Sequence, residues 1–269
     1  MAIELVFEKK PKWVLSLNDS RLMVKRSATH IIRNTDQLLG AFFQPIMFLV
    51  LFSTVFGGAI SKSLPPGISY LNFLMAGIIV QTVAFGSTTT AVSVCSDLQK
   101  GIVDRFRSLP MANLAVLNGH VVSDLFRNVI STLVMLITGL IIGFRSHASP
   151  LHWLYITGIL MLFTLAFSWL AAIVGVFAKT VEAVQWLTFV LIFPLTFASS
   201  AFVPASSFPR YLKAFAINQP ITQVVEAVRA LILGLPVGNH VWLAIVWSLG
   251  LLAIAMPLAS WLFRRKTSQ

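Results

Sequence analysis

Six stretches of this chain, roughly residues 42–60, 70–94, 121–144, 151–177, 182–203 and 240–263, are apolar and long enough to cross a lipid bilayer, whose hydrocarbon core takes about 20 mostly apolar residues of helix. No other feature constrains the fold as strongly. A backbone in hydrocarbon must satisfy its own N–H and C=O groups, and a helix does so within one segment. The expectation is an all-α membrane protein with six transmembrane helices. Composition agrees, since 57% of residues are apolar and 11% charged, against about a quarter charged in soluble domains, and mean hydropathy is +0.84.

The net charge of +11 suits membrane orientation better than nucleic acid, because Lys and Arg are dispersed between apolar runs rather than gathered on one face or tail. With both termini cytoplasmic, the outer side holds only Lys62, Arg145, Arg210, Lys213 and Arg229 of the 20 basic residues, as the positive-inside rule requires. An even number of spans returns the chain to the same side. Trp153 and Trp242 then fall at the outer interface and Trp186 and Trp261 at the inner one. Glu4, Glu8, Asp19 and Asp36 precede any apolar run, which disfavours a cleaved signal or transit peptide. The lone Cys95 excludes an internal disulfide and reads as a small apolar filler.

Three segments do not span. From about Asp19 to Leu39, Val24, Ala28, Ile31, Thr35 and Leu38 recur at helical spacing while Arg26, Arg33 and Gln37 face the other way. That pattern predicts a helix lying on the inner membrane surface with its basic face toward anionic head groups; an ordinary soluble amphipathic helix is the alternative. Residues 1–41 thus form a cytoplasmic N-terminus, 42–264 the six-span domain and 265–269 a cytoplasmic tail. Between spans two and three lies the polar island Ser96 to Pro110, in which Ile102, Val103, Phe106 and Leu109 form one helical stripe and Asp104, Arg105, Arg107 and Ser108 the opposite face, with Pro110 as terminator. Between spans five and six, Pro204 and Pro209 break the preceding helix, and Asn218-Gln219-Pro220-Ile221-Thr222 reads as a helix start with Pro in the first turn. A helix from there to Gly234 presents Val224, Val225, Val228, Leu231 and Ile232 on one face. It is too short to cross and is expected to enter the outer leaflet and return, carrying Arg229 with it.

Catalytic chemistry is nearly absent. His30, His120, His147, His152 and His240 are scattered, with no His-Glu-x-x-His and no paired carboxylates on one helix face. Gly175 to Thr180 imitates the end of a P-loop but lacks its first Gly and the Gly beside Lys179. Ion-coupled transporters keep ionisable groups in mid-membrane, whereas Glu182 and Arg127 fall near the inner ends of their predicted spans. The membrane interior instead holds hydroxyl, amide and aromatic groups: Gln81, Thr82, Ser87, Thr88, Thr89, Thr90 and Ser93 in the second span, and Phe189, Phe193, Pro194, Thr196, Phe197, Ser199 and Ser200 in the fifth. These either line a pathway or hydrogen-bond between helices. Gly139-Leu140-Ile141-Ile142-Gly143 is a close-packing motif, and it and the fifth span both fit an interface between subunits.

Asp97-Leu98-x-Lys100-Gly101-x-x-Asp104-Arg105-Phe106-Arg107-Ser108-Leu109-Pro110-Met111, followed by Ala115-Val116-Leu117-x-Gly119 and Asp124, resembles the permease subunits of type-2 ABC exporters, most closely their daunorubicin/doxorubicin-resistance branch. A second block is similar too: Ser200-Ala201-Phe202-Val203-Pro204, Phe208-Pro209, Asn218-Gln219-Pro220-Ile221-Thr222 and Arg229-Ala230-Leu231.

The resemblance implies a dimer of permeases, of identical or different chains, working with two copies of a separate ABC ATPase that carries the ATP and Mg. It further implies that this chain binds no cofactor and performs no catalysis. The island becomes a coupling helix, about Lys100 to Leu109, with Ile102 and Phe106 entering a groove on the ATPase and Asp104, Arg105 and Arg107 at its rim, consistent with a buried aromatic anchor ringed by polar contacts. Substrate, an amphipathic drug, antibiotic or lipid-like compound, would cross a bacterial plasma membrane along a pathway or subunit interface formed by Gln81, Thr82, Ser87, Thr89, Phe189, Phe193, Phe197 and Ser200. A lipid or polysaccharide exporter is the runner-up. A secondary transporter or membrane-embedded lipid enzyme would need groups the spans lack.

Overall fold

The computed structural model describes residues 35–65, 67–102 and 115–267. All regular structure among them is helical, and five helices are long and apolar enough to cross a membrane: Phe43–Ser63, Tyr70–Gln99, Val116–Ile142, Pro150–Phe177 and His240–Thr267.

The first comprises α1 (Thr35–Leu51), a π-helical turn (Phe52–Phe56) and the short α2 (Gly57–Ile60). α1 begins ahead of the predicted span and runs through Gly40 without a break. The surface helix expected from Asp19, with Arg26 and Arg33, otherwise lies outside the described residues. The second crossing is α3 (Tyr70–Gly86) plus α4 (Thr88–Gln99), followed by α5 (Ala115–Ile142) and α6 (Pro150–Phe177). Their starts follow local rules. Ser69 and Ser149 accept hydrogen bonds from the N–H groups of Asn72 and His152, both at 3.3 Å, and Pro150 occupies the first helical turn, where a missing N–H costs nothing.

The fifth predicted span, 182–203, needs correction. α7 covers Val181–Phe197, 17 residues, or about 25 Å at 1.5 Å per residue, less than the hydrocarbon core of about 30 Å. Side chains end it. Ser199 Oγ donates to the Thr196 carbonyl at 2.5 Å and Gln219 Nε2 to that of Ala198 at 2.7 Å, so groups that a further turn would have paired are taken locally.

Beyond it lie α8 (Arg210–Asn218), α9 (Pro220–Leu233) and α10 (His240–Thr267). α8 was not expected from the sequence. α9 begins at Pro220 and stops at Gly234, whose φ of +67° suits a residue without Cβ. All five residues of its predicted apolar face are buried, wedged among α3, α6 and α10. Its end is tied to the α5–α6 loop, where the Ile232 carbonyl accepts from His147 N–H at 3.0 Å and Ser146 Oγ at 3.2 Å.

Two crossings form the centre. In the apolar stretches of the second crossing and of α6, 67% of residues are buried, against 6% in the first crossing, which is peripheral. One core gathers Leu74, Ile78, Phe163, Val224 and Val228, and a smaller one toward the α4 and α10 C-termini gathers Val94, Leu117, Trp169 and Phe263. Glycines set the closest approaches: a methyl group at Gly77 would overlap the Ala201 carbonyl, and one at Gly175 that of Ala91. Of the two glycines in the Gly139–Gly143 motif, which was expected to fit a subunit interface, one packs within this chain. Gly139 lies against Met75, while Gly143, at φ +117°, ends α5.

Candidate functional site

The second crossing is interrupted at Ser87. The run Ser87-Thr88-Thr89-Thr90 is rich in hydroxyls that compete for backbone groups, and Ser87 Oγ donates to the Ala84 carbonyl at 2.7 Å. Thr90 N–H pairs with the Ser87 carbonyl at 3.0 Å, one residue short of its α-helical partner. The Gly86 carbonyl is released from the ladder, and a side chain of α5 takes it.

That side chain is Arg127. Its Nη2 donates to the Gly86 carbonyl and to Asp124 Oδ1, its Nε to the same Oδ1 at 3.0 Å, and its Nη1 to Thr89 Oγ1 at 2.7 Å. Asp124 Oδ2 in turn accepts from Ser168 Oγ of α6. Asp124 and Arg127 are 2% and 6% exposed, so this is a buried ion pair stapling three crossings at the interruption. Sequence reading put Arg127 near the inner end of its span and did not pair it with Asp124; α5 starts at Ala115, which sets Arg127 about 18 Å along the helix at 1.5 Å per residue. The available signal was the i,i+3 spacing of Asp124 and Arg127, which puts both on one helix face.

Beside the staple lies a cleft of about 360 Å³, walled by Gln44 and Phe48 of α1, Gln81, Thr82 and Phe85 of α3, Thr88 and Thr89 of α4, Arg127, Asn128 and Ser131 of α5, and Gln185 of α7. A ridge of phenyl rings leads away from Phe85 on the cleft wall. Ring centroids are 6.4 Å apart for Phe85–Phe189, 4.9 Å for Phe189–Phe193, 4.1 Å for Phe193–Phe197, 4.8 Å for Phe197–Phe202 and 4.6 Å for Phe202–Phe52. The i,i+4 spacing of Phe189, Phe193 and Phe197 puts them on one face of α7.

A family model for the ABC-2 type transporter matches residues 19–233. The chain belongs to the ABC-2 type transporter family. Among its relatives, a daunorubicin resistance ABC transporter permease protein of Streptomyces coeruleorubidus is 32% identical over 86% of this chain and 81% of its own. A probable doxorubicin resistance ABC transporter permease protein of Mycobacterium tuberculosis is 27% identical over 88% and 86%, and an inner membrane transport permease of Escherichia coli 23% over 71% and 75%. The chain is thus a multi-pass membrane permease, the non-catalytic transmembrane subunit of an ABC-2 transporter, and membership implies a partner ATPase.

The fold separates the permease's expected pathway residues. Gln81, Thr82 and Thr89 line the cleft, and Phe189, Phe193 and Phe197 form the ridge. Ser87 is spent on the helix interruption. Ser200 belongs to another cluster: its carbonyl accepts from Arg229 Nη2 at 2.6 Å. Arg229 also donates to the Phe73 carbonyl at 3.1 Å and to Glu226 at 2.7 Å, and its guanidinium lies 3.6 Å from the Phe73 ring centroid. Burial pulls its pKa below the ordinary arginine value, and Glu226 pulls it back up. These contacts clamp α9 to α3 and to the turn after α7, a structural duty at the expected outer segment. Pro220 opens α9, while Asn218, exposed, closes α8 by donating to the Ala214 carbonyl at 2.8 Å.

At the other end of the crossings, Asp97 pairs with His120 of α5 at 3.0 Å, joining the two helices that flank the island. Lys100 follows α4, Gly101 turns the chain at φ +62°, and Ile102 is half-buried. Asp104, Arg105, Phe106, Arg107 and Pro110 lie outside the described residues. Nearby, Gln99 Nε2 donates to the Lys179 carbonyl at 2.7 Å, and Lys266 Nζ donates to those of Val176 and Ala178 at the end of α6. A cation at a helix C-terminus suits the dipole there. Cys95 is buried with Sγ 3.8 Å from the Ala178 carbonyl, and no group of three or more His, Cys, Asp or Glu among the described residues could hold a metal.

Proposed function

We propose that the permease is the membrane subunit of an ATP-driven exporter that moves an amphipathic compound across a bacterial plasma membrane. The observation that carries this reading is the polar cleft among α1, α3, α4, α5 and α7, sited where the second crossing is interrupted. The relatives' names, daunorubicin and doxorubicin resistance permeases, support an amphipathic drug-like cargo. The chain crosses six times, α7 being the short fifth crossing, with both termini cytoplasmic and α8–α9 re-entering from outside.

A second permease covers α1 and α7. Gln44 of α1 and Gln185 of α7 are exposed where the two helices line the cleft, and a polar cleft left open to hydrocarbon is costly, which supports a protein neighbour there. ATP and Mg act on two ATPase subunits, each receiving the segment Lys100–Leu109. Ile102 and Phe106 fill a groove, and Asp104, Arg105 and Arg107 pair at its rim. ATP binding draws the inner ends of the two permeases together and opens the pathway outward. The phenyl ridge on α7 favours a second reading, export of a lipid or glycolipid whose chain slides along it.

Co-reconstitution with the partner ATPase tests the proposal. ATP-driven movement of a fluorescent amphiphile in proteoliposomes is the expected result. Movement that needs an ion gradient instead of ATP would sink it.

A further inference from the structure

Two side chains on the cleft wall carry amides whose nitrogens are buried and have no hydrogen-bond partner among the described residues: Gln81 Nε2 and Asn128 Nδ2. The residues are 4% and 3% exposed. A buried polar group left unpaired costs about 1–3 kcal/mol, so two on one wall mark a place that a ligand completes. An amide turned by 180° offers its oxygen in place of its nitrogen, and the pair can therefore donate to a carbonyl or accept from a hydroxyl.

The charge of the wall is already cancelled. Arg127 is the only charged residue lining the cleft among the described residues, and Asp124, behind it, holds the guanidinium through two of its nitrogens. Thr89 and the Gly86 carbonyl occupy further donors. No carboxylate lines the cleft among the described residues. A protonated amine would meet the guanidinium with no counter-charge, and a carboxylate or phosphate would have to compete with Asp124. Phe48 and Phe85 add flat apolar surface, and the volume of about 360 Å³ lies within the roughly 300–1,000 Å³ of sites that take drug-sized ligands.

Resting on the exporter reading above, we propose that this cleft binds an uncharged, oxygen-rich amphiphile, with hydroxyl and carbonyl groups on Gln81 and Asn128 and a flat apolar body against Phe48 and Phe85. It disfavours cationic amines, so its cargo differs in charge from daunorubicin and doxorubicin, the amine-bearing drugs in the relatives' names. The selectivity comes from the Asp124–Arg127 pair, which keeps the wall polar without leaving a net charge for a ligand to neutralise.

The test uses the full-length permease in lipid nanodiscs and three fluorescent probes that share one anthracene body and carry a neutral diol, a primary amine or a carboxylate. The diol is expected to bind at least about tenfold more tightly than the amine. Gln81→Met and Asn128→Leu should each weaken diol binding about three- to tenfold, the range of one lost hydrogen bond, and leave the amine within twofold. Equal or tighter binding of the amine overturns the proposal, as does failure of all three probes to bind. The wild-type preference needs no variant, so a variant that fails to fold leaves it testable. Vesicles that also contain the ATPase separate the two readings. ATP-driven movement indifferent to the head group overturns the selectivity and leaves the exporter standing, whereas diol-selective binding without ATP-driven movement supports the cleft and sinks the exporter.

Discussion

Removing one member of the Asp124–Arg127 pair should be far more damaging than removing both. Both side chains are buried, and taking away one partner of a buried ion pair costs about 3–5 kcal/mol because a charge is left uncompensated. The two halves are not equivalent. A guanidinium has no accessible neutral form, whereas a carboxyl group has one, so Asp124→Leu should cost more than Arg127→Met. The double variant, close in volume and free of buried charge, should lie within about 1–2 kcal/mol of wild type even though it gives up the bonds to Thr89 and Gly86, since apolar replacement of buried pairs is often neutral. The assay is reversible unfolding of the purified permease in mixed micelles, followed by Trp fluorescence across the four proteins of the cycle. Each single variant should shift the folding equilibrium by about a hundredfold or more, and the double variant by much less than the product of the two. If the single costs simply add, or if each is below about 1 kcal/mol, the residues do not act as a buried pair and the staple is refuted.

Gly77→Leu should abolish folded permease in a size-exclusion assay, because even a methyl there overlaps the Ala201 backbone; overpacking of a well-filled contact costs about 1–3 kcal/mol and more where backbone is in the way. Arg229→Met should destabilise by about 2–4 kcal/mol through the lost bonds to the Phe73 and Ser200 carbonyls, and Arg229→Lys should not restore it, since an ammonium lacks the planar fork that reaches several acceptors at once. On the proposed coupling role, Phe106→Asp should leave the permease folded but remove co-purification of the ATPase and ATP-driven transport. Retention of both would show that the island is not the coupling element.

Much of the helical layout could be read from composition and spacing. Five apolar stretches are long helices, and the start and end of α9 at Pro220 and Gly234 follow from Pro in a first turn and Gly in a left-handed cap. The polar run from Gln81 to Thr90 was visible as unusual for a span. Its consequence was not, because whether hydroxyls bend a helix, face a cleft or pack depends on which neighbour claims the freed backbone group, and Arg127 belongs to another crossing. α8 escaped notice because Arg210 and Lys213 make it locally polar, and only Ala216 is buried within it. Gly139 and Gly143 matched a subunit-packing motif. One glycine faces Met75 of the same chain and the other ends its helix, a distinction that spacing cannot express.

Sequence alone determined that this chain is a multi-pass helical permease, because the cost of dehydrating backbone leaves a long apolar run few alternatives to a helix, and its motif blocks carried the family. Tertiary structure decided which polar groups remain available to a ligand. Asp124 and Arg127 share a helix face by their spacing, but they become a neutral staple only once α3, α4, α5 and α6 converge. Gln81 and Asn128, ordinary amides 47 residues apart in the chain, end at one cleft with unpaired nitrogens. Hydrogen-bond satisfaction is a property of contacts between segments, and those contacts exist only after the crossings have packed.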